Sequence, residues 1–194
     1  MRSLSPEEAA KLLKQGGVVL LPASTLWGIS ADGTSSHAKK RVLEIKRRDD
    51  LKFVHLVSSL EMAKEYGVMN PCALSLAQSF WPGPLTLVVK ATDKGLLMAA
   101  PQGTVALRLD PHPVAMKVVD LLERPVLSTS ANIHGTPAPL TFSDIDPKIV
   151  ELTDGFVPGK EPAGVPSTVV DCTGESPLVL RKGALSLEED ELCS

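Results

Sequence analysis

Aromatic residues make up only 4% of this 194-residue chain, so the stacking platforms on which single-stranded nucleic acids lie are not evident. Cysteine is as scarce. Cys72, Cys172 and Cys193 are odd in number and widely spaced, which argues against a disulfide framework and a zinc knuckle and suits a reducing compartment. No apolar run approaches the roughly 20 residues of a membrane span, and the N-terminus reads as a helix start, not a signal peptide. A soluble, cytoplasmic protein with no membrane partner is therefore expected. The four histidines, His37, His55, His112 and His134, lack metal-ligand spacing and read as structural or solvent-facing, with no protein metal site expected. The phosphate-binding loop, G-x-G-x-x-G and G-x-S-x-G are all missing, so the usual nucleotide and hydrolase templates do not apply. A net charge of -3 and a pI of 5.8 exclude general DNA coating but allow a local basic patch to dock RNA.

Such a patch is present. Seven of the twenty Lys and Arg residues fall between Lys39 and Lys52, with only Glu44, Asp49 and Asp50 against them. The segment carries +4 while the remainder sums to -7 in a chain that totals -3. Local charge separation of this kind attracts phosphate without making the whole protein basic. On charge alone a solvated helix face also accounts for it. Three further segments turn the reading toward an anion site: Ser128-Thr129-Ser130-Ala131-Asn132, Pro166-Ser167-Thr168 and Leu180-Arg181-Lys182-Gly183. Each alone reads equally well as a turn or a strand entry. Arg108, set in the apolar run Val105 to Leu109, calls for an anionic partner, either a structural carboxylate or a ligand.

Ser5-Pro6-Glu7-Glu8 predicts a capped helix entry and Gly16-Gly17 its end. Val18 to Leu21 predicts a strand buried on both faces, stopping at Pro22. Helices are expected over His37 to Lys46, after a capping box at Ser58 and Glu61, over Pro71 to Phe80 and over Val114 to Leu122. Strands are expected over Phe53 to Val57, Leu85 to Val89, Thr104 to Leu109, Val126 to Ser128, Thr168 to Asp171 and Leu178 to Leu180. The interleaving predicts a single α/β domain with helices on the faces of a mixed sheet. The proline-punctuated stretch Ile133 to Pro147 predicts a mobile loop or lid, and the tail from Leu185 a short acidic helix.

In this order and spacing, these segments resemble the threonylcarbamoyl-AMP synthase, or YrdC-type, family from about Leu12 to Gly183. The carriers are Val18 to Gly28, Ile45-Lys46-Arg47-Arg48, Trp81-Pro82-Gly83-Pro84-Leu85-Thr86, Arg108 with His112-Pro113, Ser130-Ala131-Asn132, Gly164 to Asp171, and Leu180-Arg181-Lys182-Gly183. The resemblance implies the single-domain form over residues 1–194, a three-layer α/β fold around a twisted mixed β-sheet with a positive cavity. It implies joining of bicarbonate, L-threonine and ATP into threonylcarbamoyl-adenylate and pyrophosphate, with Mg2+ travelling with the ATP. Partner proteins would then transfer the threonylcarbamoyl group to tRNA; DNA is not a partner. By the family pattern Lys46, Arg48, Ser130, Asn132 and Arg181 would hold ATP, with Lys46 and Arg48 catalytic. Thr25, Arg108 and Ser167 or Thr168 would lie near threonine.

Several positions depart from that pattern. Ala23 and Ser24 stand where the family usually has Thr and an acid, Trp27 where it has Tyr, and Asp49 where a proline often follows. Phe53 replaces a small residue or proline, Asp110-Pro111 inverts a Pro-Asp order, and Lys182 replaces a proline. These departures motivate an alternative expectation, a diverged non-catalytic paralogue binding RNA or nucleotide through the same basic cavity.

Overall fold

The computed structural model describes residues 2–48 and 52–187. Its N-terminal helix α1 (Pro6–Lys14) begins as expected: the Ser5 hydroxyl accepts from Glu8 N at 3.2 Å and Glu8 Oε2 accepts from Ser5 N at 2.9 Å. The helix then buries Ala9, Ala10 and Leu13. The hairpin β1 (Val18–Pro22) and β2 (Trp27–Asp32) follows, buried throughout. Next come α2 (Ser36–Lys46), β3 (Val54–Leu56), α3 (Leu60–Tyr66), α4 (Pro71–Phe80), β4 (Leu85–Lys90), β5 (Thr104–Arg108), α5 (Pro113–Leu122), β6 (Val126–Ser130), α6 (Pro147–Leu152), β7 (Thr168–Asp171) and β8 (Leu178–Arg181).

The expected strands all form, and β2 is an addition, missed because its small residues give no alternation. Gly28 lies within it, where a Cβ would come within 2.3 Å of Ser128 Oγ. The α3 cap is Ser59, whose side chain accepts from Met62 N at 3.0 Å, one residue beyond the expected Ser58. Cys172 is a free, buried thiol. The expected acidic helix at the tail falls mostly beyond residue 187, outside the described residues.

The eight strands form one mixed sheet in the order β1-β2-β6-β3-β5-β4-β7-β8. The β3–β5 and β4–β7 pairs are parallel and the others antiparallel. One face is covered by α2 at the β1–β2 end, around Ile29, Val42 and Ile45, and by α3 and α4 at the β4–β7 end, around Leu76, Leu85 and Leu87. The other face is covered by α1 and α5 over Leu21, Leu56 and Val126. A cross-strand row on this second face, Ser30, Ser128, Val54, Ala106, Val88 and Asp171, runs away from α1 and α5 into two adjoining cavities.

Beneath the covered face, His55 is 1% exposed and neither ring nitrogen has a hydrogen-bond partner of good geometry. Burial, helped by nearby Lys39, pushes its pKa down to about 3, with a marginal pull upward from the Ala106 backbone. An unfolded histidine takes up its proton near pH 6.5. The stabilising effect of a neutral His55 is therefore complete above about pH 6.5 and is lost as pH falls toward 3, at up to about 1.4 kcal/mol per pH unit. His55→Leu should flatten the decline in urea midpoint between pH 7 and pH 5; an equal decline in both proteins would show that other groups govern it.

Candidate active site

The smaller cavity, of about 190 Å³, lies at the end of the β1–β2 hairpin and is lined by Thr25, Arg48, Lys52, Arg108, Ser128, Ser130, Ser167 and Arg181, with Ala23 and Trp27 among the apolar contributors. The larger, of about 740 Å³, opens over alternate residues Thr86, Val88 and Lys90 of β4, Thr104 and Ala106 of β5, and Val169 and Asp171 of β7. Lys52, Val54 and Arg181 line both, so the two form one cleft with a cationic waist.

Each cation arrives by a different device. Helix α2 ends on Arg47, which adopts the left-handed conformation (φ 52°, ψ 50°) that non-glycine residues seldom take. This turn sends the residues on either side in different directions. Arg48 faces the small cavity, its Nη2 donating to Lys52 O at 2.6 Å and its guanidinium 4.6 Å from the Phe53 ring centroid. Phe53, a departure in the sequence, thus serves as a cation–π platform. Arg181, at the end of β8, donates from Nε to Ser167 O at 3.0 Å and from Nη2 to Ser167 Oγ at 3.1 Å. Burial lowers the pKa values of both Arg181 and Arg108, and arginine stays charged regardless.

Lys46, expected as a catalytic ligand of the ATP phosphates, is turned inward. It is 2% exposed, and its ammonium donates to Ser130 O and Asn132 O, both at 2.7 Å, and to Asn132 Oδ1 at 3.0 Å. It lies behind the Ser130–Asn132 turn, and of these three residues only Ser130 lines the cavity. Thr168 is also structural in its contacts: its hydroxyl donates to Leu185 O and accepts from Gly183 N at 3.0 Å. Of the Ser167–Thr168 pair, Ser167 is the one lining the cavity. Segment Ile133 to Pro147 is pinned by His134 N donating to Lys46 O at 3.0 Å and by Phe142, which meets Trp27 edge-on at 5.1 Å; its longest exposed run is residues 134–137, with further exposed positions at 140, 143–144 and 147. The Trp27 indole donates to Glu161, closing the back of the cavity.

Lys52, Ser128 and Asp110 were named in the sequence only as members of longer segments, and none was assigned to the site. Lys52 was part of the basic cluster, and Asp110 stands two residues after Arg108 at a strand end. Asp110 proves to be the partner that Arg108 called for, at 2.8 Å. Gly183 also gains a reason: a Cβ there would lie 2.3 Å from Pro166 O and 2.4 Å from Ser167 C. Gly183→Ala should displace the Ser167 backbone and cost about 1–3 kcal/mol by overpacking, read as a lower urea midpoint at unchanged m-value. An unchanged midpoint would mean that the segment shifts freely.

A family model described as telomere recombination, covering Sua5, YciO and YrdC proteins, matches residues 11–183. The chain is 37% identical over 190 residues to the threonylcarbamoyl-AMP synthase of Pyrococcus abyssi, covering 94% of this chain and 55% of that protein. To the threonylcarbamoyl-AMP synthase of Bacillus subtilis it is 32% identical over 192 residues, covering 95% and 55% respectively. The crystal structure of P. abyssi Sua5 complexed with L-threonine superposes with a TM-score of 0.84 at 33% identity, over 93% of this chain and 54% of that one. The chain thus spans about half the length of these relatives.

Proposed function

This chain belongs to the Sua5/YciO/YrdC family, and from that premise we propose that it makes threonylcarbamoyl-adenylate and pyrophosphate from L-threonine, bicarbonate and ATP. The observation that carries the reading is the cleft's cationic waist, Lys52 and Arg181, with Arg48 on its smaller side, in a pocket of about 190 Å³ ending in Thr25 and Arg108. In the reaction the threonine amine takes up the bicarbonate carbon with loss of water. A carbamate oxygen then attacks the α-phosphorus of ATP, and the bond to the β-phosphate breaks with its electron pair leaving on pyrophosphate. Charge develops on phosphoryl oxygens, so placement and cations are the main requirement and paired carboxylates are not. Arg48, Ser130 and Arg181 face the cleft as phosphate ligands, Lys46 and Asn132 support them from behind, and Thr25, Arg108 and Ser167 take the amino acid. A waist of cations suits a polyanion already carrying its metal, so Mg2+ enters with the nucleotide. The adenylate would pass to transfer proteins that modify tRNA in the cytoplasm; among the described residues no helix is long and apolar enough to cross a membrane.

The alternative of a non-catalytic RNA-binding paralogue rested on Ala23, Ser24 and the basic cluster, and the comparisons add nothing to it. Threonine-dependent pyrophosphate release from ATP in bicarbonate buffer tests the reading. Its absence from folded protein, with salt-sensitive RNA binding in its place, would favour the alternative. Within the synthase reading, Arg48→Ala should lower turnover by about a hundred-fold, the scale of losing one transition-state donor. Wild-type turnover would reduce Arg48 to a solvated side chain.

A further inference from the structure

Asp110 is 1% exposed and its carboxylate is saturated by four donors. Oδ1 accepts from Ser24 N and His112 N, both at 2.9 Å; Oδ2 accepts from Ser24 Oγ and Arg108 Nη2, both at 2.8 Å. One side chain thus fastens together the β1–β2 turn, the end of β5 and the start of α5. The consequence reaches the cavity through Arg108. With Nη2 held by Asp110, Nη1 donates to Thr25 Oγ1 at 2.8 Å. The Thr25 oxygen being an acceptor there, its own hydrogen is directed elsewhere, and among the described residues it donates no hydrogen bond. Arg108 Nε is likewise buried without a partner. Of the groups at this end of the cavity, the Arg108 guanidinium and the Thr25 hydroxyl hydrogen are thus the donors available to a ligand, which suits a carboxylate.

We infer that Asp110 is the positioning residue that fixes Arg108 and orients the Thr25 hydroxyl as a donor, and so sets the preference of the small cavity for the carboxylate of an amino acid. The exchange is legible in the chain itself: a serine occupies the hairpin turn, and the acid reaches it from the β5–α5 turn. This inference rests on the synthase reading for the identity of the ligand, but not for the geometry.

The test uses Asp110→Asn, whose amide must turn a donor toward Arg108 and Ser24 Oγ or toward the two backbone N–H groups. The expected result is a threonine KM raised about ten-fold or more, with the ATP KM within about two-fold and kcat changed less than the threonine KM. Ser24→Ala, which removes one of the four donors, should show a smaller rise in the same constant. Ser24→Asp combined with Asp110→Ala returns a carboxylate beside Arg108 from the other side of the 2.8 Å contact, and should recover threonine KM. Unchanged threonine KM in folded Asp110→Asn, or threonine and ATP KM rising together, would overturn the inference. If the wild type itself shows no threonine-dependent turnover, the synthase reading falls, and nitrogen NMR of the Arg108 side chain then judges the positioning. Distinct Nη signals that merge in Asp110→Asn would support it, and identical spectra would overturn it.

Discussion

Arg108→Ala is expected to lower stability by about 3–5 kcal/mol, because it leaves the Asp110 carboxylate buried without its countercharge. In a chain of this size that corresponds to a melting point lower by roughly 10 °C. The pair is desolvated, Arg108 at 5% and Asp110 at 1% exposure, and water entering from the cavity that Arg108 lines can solvate the carboxylate but cannot supply the lost countercharge. Threonine binding should vanish in whatever fraction remains folded, since Thr25 loses the donor that orients it. ATP binding should survive, because Arg48, Lys52 and Arg181 line the cleft independently of Arg108. Arg108→Lys keeps the charge but cannot bond Thr25 and Asp110 through one rigid fork, and should fall between the two. A melt and calorimetric titrations with ATP and threonine read all of this. A melting point within a degree or two of wild type would show that Asp110 finds another partner.

Lys46→Ala is expected to damage folding and turnover together. Its ammonium satisfies two backbone carbonyls and a side-chain carbonyl in a site 2% exposed. A buried acceptor left without a partner costs about 1–3 kcal/mol, so a total loss of about 3 kcal/mol is expected. Ser130 would lose its support, and misplacement by about 1 Å can cost a hundred-fold in rate. The simpler reading of the basic cluster, a lysine reaching out to phosphate, predicts the same fall in turnover with folding barely changed. Urea unfolding of Lys46→Ala separates them: a wild-type midpoint with slow turnover would place the ammonium on the nucleotide.

That contrast marks how far the sequence could be read. The cationic character of Lys46 to Lys52 and the anionic ligand it implies were legible, since charge density needs no geometry. The inward direction of Lys46 was not, because a lysine at a helix end reads as solvent-facing although it continues the buried stripe Ala38, Val42 and Ile45. The left-handed turn at Arg47 that re-aims Arg48 was hidden too, since propensity disfavours it. The helix start at Ser5 was legible as a capping signal, whereas the helix over Pro71 to Phe80 was expected without its cap, Asn70, whose Oδ1 accepts from Ala73 N at 2.8 Å. Strand β2 was hidden because Gly28, Ser30 and Ala31 give no alternating pattern and are buried on both faces. The demand of Arg108 for a carboxylate followed from its apolar neighbours. Recognising Asp110 as that carboxylate, and Ser24 as the residue it holds, required the β1–β2 turn to be folded against the end of β5, a contact 86 residues apart in sequence.

The most direct test of the account is the product itself. Incubation with ATP, L-threonine and carbon-labelled bicarbonate, followed by chromatographic separation, should yield an adenylate that carries the labelled carbon and appears in step with pyrophosphate, only when threonine is present. Pyrophosphate without a labelled adenylate, or no reaction from folded protein, would contradict it.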